Sequence, residues 1–345
     1  MTRNKVFIQA AEQISIQQPL SKQWMESPVF HGNGFVKAVN PPYGEYLAAN
    51  VTRRMGNLMK RALVTTLKVL RETKTEHPDA VITGTSIGSL DYTERFLDAM
   101  TENGEEALSP TYFMQSTHNT VSSTLGIYTK SHGYNTTYSH GAMSFDLAVH
   151  DAWMQMKLGD ITTALVGGYD EMVESYFELL KKTGYVGVEN MAPCGEVSMS
   201  MLMTLDSSVN HLCELAGIRI CHLFSFEQLH TLVGQMLEKA GIGIKEVDAV
   251  LTGVNGNPSH DIDYYQMMDA VFPNLPLLHY KHLFGENYTS SALGVYAMAH
   301  CIGKGSMPSH LVDNTRTNRC HTLRNVIIVN LMKGEECSFI LLKKS

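Results

Sequence analysis

Side chains able to act as nucleophiles stand at few places where the backbone would present them. Ser139, in Thr137-Tyr138-Ser139-His140-Gly141, half-matches a Gly-x-Ser-x-Gly nucleophile elbow whose first glycine is missing. His140 adjoins it in sequence and cannot swing to its own neighbour's hydroxyl in triad fashion, so it reads as a packing or solvent residue. Cys194, in Ala192-Pro193-Cys194-Gly195-Glu196, reads as a buried, inert thiol. Fifteen histidines invite a metal reading, but no His-x-x-x-His or His-Glu-x-x-His helix occurs, so no metal is expected, and no motif here calls for a cofactor. Gly84-Thr85-Ser86-Ile87-Gly88 forms a strand-to-helix turn that could cradle phosphate, yet it lacks the Lys and Ser/Thr of a P-loop.

The elements around Ser139 make its surroundings the organising stretch of the chain. A Thr/Tyr-rich strand (135–138) runs into the corner Ser139-His140-Gly141-Ala142, and a helix follows from about Ser144 to Leu158. A side chain at such a corner sits at a helix N-terminus, where unbonded N–H groups and the dipole favour negative charge. Gly159-Asp160 then turns the chain into a buried strand ending at Gly167-Gly168. Upstream, residues 5–16 read as a first strand and 47–73 as one long helix, from the i, i+3, i+4 recurrence of Met55, Leu58, Met59, Ala62, Leu63, Leu67 and Leu70. Residues 80–85 read as a buried strand, with a helix beginning near Asp91.

The 345 residues carry 44% hydrophobic and 18% charged side chains, a composition with ample core for two domains or one duplicated body. A net charge of −7 without a basic run argues against nucleic acid or an anionic membrane as partner. No apolar run approaches the ~20 residues of a membrane span. The six cysteines show no Cys-x-x-Cys spacing and no signal peptide is evident, so reduced thiols and a cytoplasmic location are expected. Methionine-rich stretches (Met154, Met156; Met199, Met201, Met203; Met267, Met268) read mostly as core filler at helical or strand spacing.

The sequence also echoes itself. Asp79-Ala80-Val81-Ile82-Thr83-Gly84 recurs as Asp248-Ala249-Val250-Leu251-Thr252-Gly253, and Asp91-Tyr92 recurs as Asp263-Tyr264. An apolar-periodic helix precedes each copy, the second over 226–240. Two copies of one plan, joined near Asp206-Ser207-Ser208, predict an internal duplication with halves 1–205 and 206–345. Strands and helices alternate around buried Val/Ile/Leu runs, which predicts mixed α/β sheets covered by helices.

These motifs resemble β-ketoacyl synthases over nearly the whole chain. The family's nucleophile segment reads roughly G-P-N-x-x-V-S-T-A-C, followed by a helix, G-D and a strand ending in G-G. Gly133, Asn135, Ser139, Gly159-Asp160 and Gly167-Gly168 match it without a gap, and the cysteine falls on Ala142. The stretch GTSIGSLDYTE (84–94) is similar to the family's G-T-G-I-G-G-x-x-x-T-E. The resemblance implies a thiolase-like fold: α/β, with duplicated mixed-sheet halves in a five-layered αβαβα body. It also implies dimerisation through the strand and helix beside the corner.

Condensation in that family needs a cysteine thiolate, two histidines or a histidine and an asparagine, and an oxyanion hole. Residue by residue, the first histidine position falls on Asn255, and the second, in a K-x-x-x-G-H segment, falls on Glu286 after the retained Lys281. The closing glycine-rich loop falls on 330–337, with one glycine and two acidic residues. The resemblance therefore implies a non-condensing partner of an active ketosynthase, like the chain-length factors of type II polyketide systems. Its partners would be a ketosynthase subunit in a heterodimer, or a second copy in a homodimer, with acyl carrier protein shared by the complex. Two alternatives stay open: an acyltransferase or hydrolase using Ser139 or another nucleophile, and a non-catalytic homodimer that binds acyl chains.

Overall fold

The computed structural model describes residues 4–53, 55–105, 108–313, 323–332 and 336–345. Among the described residues ten strands form one continuous sheet: β1 (Phe7–Ile14), β2 (Ala80–Gly84), β3 (Tyr134–Tyr138), β4 (Thr163–Asp170), β5 (Val197–Thr204), β6 (Cys213–His222), β7 (Ala249–Thr252), β8 (Leu277–His279), β9 (Asn325–Met332) and β10 (Glu336–Lys343). Their order is β3-β2-β4-β5-β1-β6-β10-β9-β7-β8. Read inward from either edge, the order places β2 where β7 stands and β4 where β9 stands. The repeated hexapeptide thus marks equivalent strands, each parallel to both of its neighbours. Only Phe7 and Ile8 of β1 pair with β6, so the two groups of five strands meet over a short seam.

Alternation along the strands sorts the core into layers. Ala80, Ile82, Ala164, Val166, Ile328 and Ile340 face a central layer made by the helices Ser144–Leu158 and Ser291–Lys304. Val81 and Leu165 face outward onto the helices Asn57–Thr73 and Thr120–Thr129. Val250, Ile327, Val329, Phe339 and Leu341 face the helices Phe226–Lys239 and Pro258–Val271 on the opposite outer side. The result is five layers, αβαβα, in a thiolase-like fold. The 291–304 helix buries every residue from Ser291 to Ile302, as a helix apolar all round must.

Two expectations need correction. The long helix over 47–73 is broken into Ala49–Thr52 and Asn57–Thr73. Gly56 lies at the break, where a Cβ would meet the Tyr92 ring at 2.6 Å, so the approach of the 90–103 helix fixes the interruption. The strand expected to end at Gly167-Gly168 continues to Asp170, whose carboxylate has its own task. Its oxygens accept from the N–H groups of Ser86, Ile87 and Gly88 at 2.9–3.1 Å, and from the hydroxyls of Thr85 and Thr289 at 2.7 and 2.9 Å. The candidate phosphate cradle at Gly84–Gly88 is therefore filled by an internal anion.

Candidate functional site

The corner forms where the chain leaves β3 and enters the central helix. Gly141–Met143 make a single 3-10 turn containing Ala142, with Gly141 at φ +50°, a conformation that favours glycine. The Ser144 hydroxyl closes the turn, accepting from His140 N at 2.8 Å and donating to Gly141 O at 2.8 Å. Gly84 lets the helix start dock directly on the end of β2, since a Cβ there would stand 2.5 Å from the backbone of Phe145.

From the other half of the chain, Asn330 on β9 fastens the corner in place. Its side-chain N–H groups donate to Ala142 O at 2.8 Å and to Asp146 Oδ2 at 3.0 Å. Asp146, fully buried in the first turn of the central helix, also accepts from the hydroxyls of Ser291 and Ser338 at 2.7 and 2.6 Å. Burial pushes its carboxyl above the usual carboxylate range, and these donors oppose the shift.

A cavity of about 180 Å³ opens beside this turn, with Gly141 and Ala142 on one wall and Asn255, Lys281 and Glu286 on another. All four residues singled out by motif matching share it. Glu286 is 3% exposed, and its carboxylate accepts from Lys281 Nζ at 3.0 and 2.9 Å and from Asn255 Nδ2 at 2.5 Å. Asn255 is held for this contact, because its Oδ1 accepts from Asn257 N at 2.9 Å and its backbone N–H donates to Asp261 Oδ1 at 2.9 Å. Glycine lines the cavity next to this network: a Cβ at Gly253 would stand 2.3 Å from the Tyr264 hydroxyl.

The chemistry open to this set is narrow. Both Glu286 oxygens are already bonded to the Lys281 ammonium, and methyl-bearing Ala142 offers no nucleophile. Sequence reasoning missed the aromatic wall: Tyr185 stacks on Tyr288 with centroids 5.8 Å apart and lies 5.0 Å from the His260 ring, and Tyr264 accepts a hydrogen bond from Leu331 N at 3.0 Å. These residues come from separate segments and carried no local signal, although Tyr264 belongs to the repeated Asp-Tyr pair.

The alternative nucleophiles lie elsewhere. Ser139 is exposed and does not line the cavity. His140 Nε2 pairs instead with Glu336 Oε2 at 2.8 Å, and Glu336 Oε1 meets His222 Nδ1 at 3.0 Å. Cys194 is 1% exposed, and burial with the nearby charges of Glu286 and Glu196 pushes its thiol up to about 12. Of the closing loop, Lys333, Gly334 and Glu335 lie outside the described residues, as does Cys320. Among the described residues no three His, Cys, Asp or Glu are grouped to hold a metal, and no helix is long and apolar enough to cross a membrane.

Residues 22–216, more than half of the chain, match the family described as beta-ketoacyl synthase, N-terminal domain. The chain belongs to the β-ketoacyl synthase family. No protein of curated function matches it. Among solved structures, "The ishigamide ketosynthase/chain length factor" contains a similar chain, with a TM-score of 0.83, 17% identity and full coverage of both chains. A ketosynthase (ApeO) in complex with its chain length factor (ApeC) from Xenorhabdus doucetiae gives 0.79 at 15% identity, covering 99% of this chain and 98% of that one. A type II PKS acyl-carrier protein in complex with its ketosynthase bound to the hexaketide (AntDE:AntF) gives 0.78 at 12%, with full coverage of both. At these identities the likeness establishes a fold shared from end to end. The family model stops at residue 216, and from β7 to β10 the likeness is one of fold alone.

Proposed function

We propose that this β-ketoacyl synthase family member is a non-condensing, chain-length-factor-type subunit that pairs with an active ketosynthase, acyl carrier protein being the shared ligand of the complex. The observation that carries this reading is the occupancy of one cavity by Ala142, Asn255 and Glu286, with Lys281 neutralising the glutamate. Thioester capture needs a thiolate where the methyl of Ala142 stands. Enolate stabilisation needs a neutral imidazole donor where the Glu286 carboxylate stands. Halves 1–205 and 206–345 would each supply one wall of this site.

Pairing has a natural seat. β3 is an edge strand of the sheet, with Tyr134 42% exposed, and the adjoining helix presents Met154 and Leu158 at 43% and 76%. Edge strands left uncovered invite a partner strand. Co-expression with ketosynthases encoded nearby is the direct test: stable co-purification as a one-to-one complex is expected. A monomer by light scattering together with failure to co-purify would sink the partner role. A homodimer alone would favour the acyl-chain-binding reading.

A further inference from the structure

A second cleft lies away from the Ala142 cavity and shares no lining residue with it. It occupies about 370 Å³ between the 144–158 helix, β6 and the 226–239 helix. Trp153, Lys157, Gly217, Arg219, Met236 and Lys239 line it, so three of the lining residues are cations and none is a carboxylate. That is out of keeping with a chain of net charge −7. The volume falls within the ~300–1,000 Å³ usual for small-molecule sites, whereas the Ala142 cavity falls below it.

Two of the cations are gathered over one indole. Lys157 Nζ lies 5.4 Å and the Arg219 guanidinium 5.9 Å from the Trp153 ring, and the ring is fixed by its Nε1 donating to Leu215 O at 3.2 Å. Lys157 also donates to the backbone of Asn4. Arg219 donates from Nη1 to Ile218 O at 2.7 Å, and among the described residues no ion pair to a carboxylate is formed by it. Burial alone lowers its pKa, with no acidic neighbour to offset the cost. Gly217 keeps the floor low, since a Cβ there would meet Met236 at 2.8 Å.

We propose that this cleft binds a small phosphate-bearing molecule, its phosphate groups held by Arg219, Lys239 and Lys157. The planar guanidinium fork matches phosphate oxygens in pairs, and the lysines add point charges. Three cations balance a diphosphate better than a monophosphate. The acidic remainder of the chain opposes an extended polyanion, which needs a continuous basic face.

Calorimetric titration of the whole chain with inorganic pyrophosphate at ~0.15 M salt, the ionic strength at which exposed charges are already screened, tests the proposal. Saturable binding is expected, weaker for orthophosphate, with a matching change in Trp153 fluorescence, because the other tryptophan, Trp24, is 1% exposed. Arg219→Gln should weaken binding by about tenfold or more, the size of a lost charge-assisted hydrogen bond. Lys239→Gln, at an exposed position where folding is not at risk, should weaken it several-fold. Absence of saturable heat, or binding unchanged in Lys239→Gln, overturns the site.

Discussion

Glu286 binds the Lys281 ammonium through both carboxylate oxygens, at 3.0 and 2.9 Å, with both residues more than nine-tenths buried. Removing one partner of such a pair strands the other charge in a medium that solvates it poorly. Glu286→Ala should therefore cost about 3–5 kcal/mol, while Glu286→Ala combined with Lys281→Met should recover much of the loss. Urea unfolding of both variants measures this. A single substitution costing no more than a surface ion pair would show that Lys281 finds solvent.

How far the sequence revealed this pair, and how far it did not, follows from what each signal depends on. Lys281, Glu286, Asn255 and Ala142 were found because fixed spacing along the backbone places them, and those spacings survive when the side chains change. The repeated Asp-Ala-Val hexapeptide was legible for the same reason, as it encodes a buried strand in each half. The contents of the Gly84–Gly88 turn were not legible: the anion that fills it, Asp170, stands 82 residues after Gly88 and is brought there only by the parallel pairing of β2 and β4. The break before Asn57 likewise depends on Tyr92, a contact that no helical periodicity encodes.

Acid should weaken the fold through His300. Its Nε2 bonds Ala11 O at 2.9 Å in the central layer, and burial, foremost, with Lys22 lowers its pKa to about 3. The folded chain thus keeps the ring neutral where the unfolded chain protonates it. This contribution is fully present above about pH 6.5, the unfolded value, and is lost as pH falls from there toward 3, at up to ~1.4 kcal/mol per pH unit. The stability difference between the native chain and His300→Gln, followed by urea midpoints, should fall steadily across that window. A difference independent of pH would mean that the ring is charged in the fold.

Incubation with an acyl thioester should leave the chain unmodified. Ser139 stands outside the cavity, the adjoining His140 is paired with Glu336, and the Cys194 thiol is buried with its pKa pushed up to about 12. Intact-mass measurement followed by peptide mapping reads the outcome. A stable adduct on Ser139, Cys194 or another residue would restore the reading of an acyl-transferring or hydrolysing enzyme.

Ala142→Cys separates the geometry of the corner from its chemistry. The introduced thiol would stand in the 3-10 turn that leads into the 144–158 helix, half-buried at the mouth of the cavity. The helix N-terminus favours its thiolate, so alkylation by iodoacetamide should outpace that of Cys221, the one half-buried thiol among the described native cysteines. Condensation with a malonyl thioester should still fail. Asn255 and Glu286 supply no imidazole, and the Lys281 charge that could have steadied an enolate is already committed to Glu286 at 2.9 Å. Labelling no faster than at Cys221 would mean that the corner does not present position 142 to the dipole. Robust condensation by this single variant would mean that Asn255 and Glu286 do not stand where the histidines act, and the non-condensing reading would fall with it.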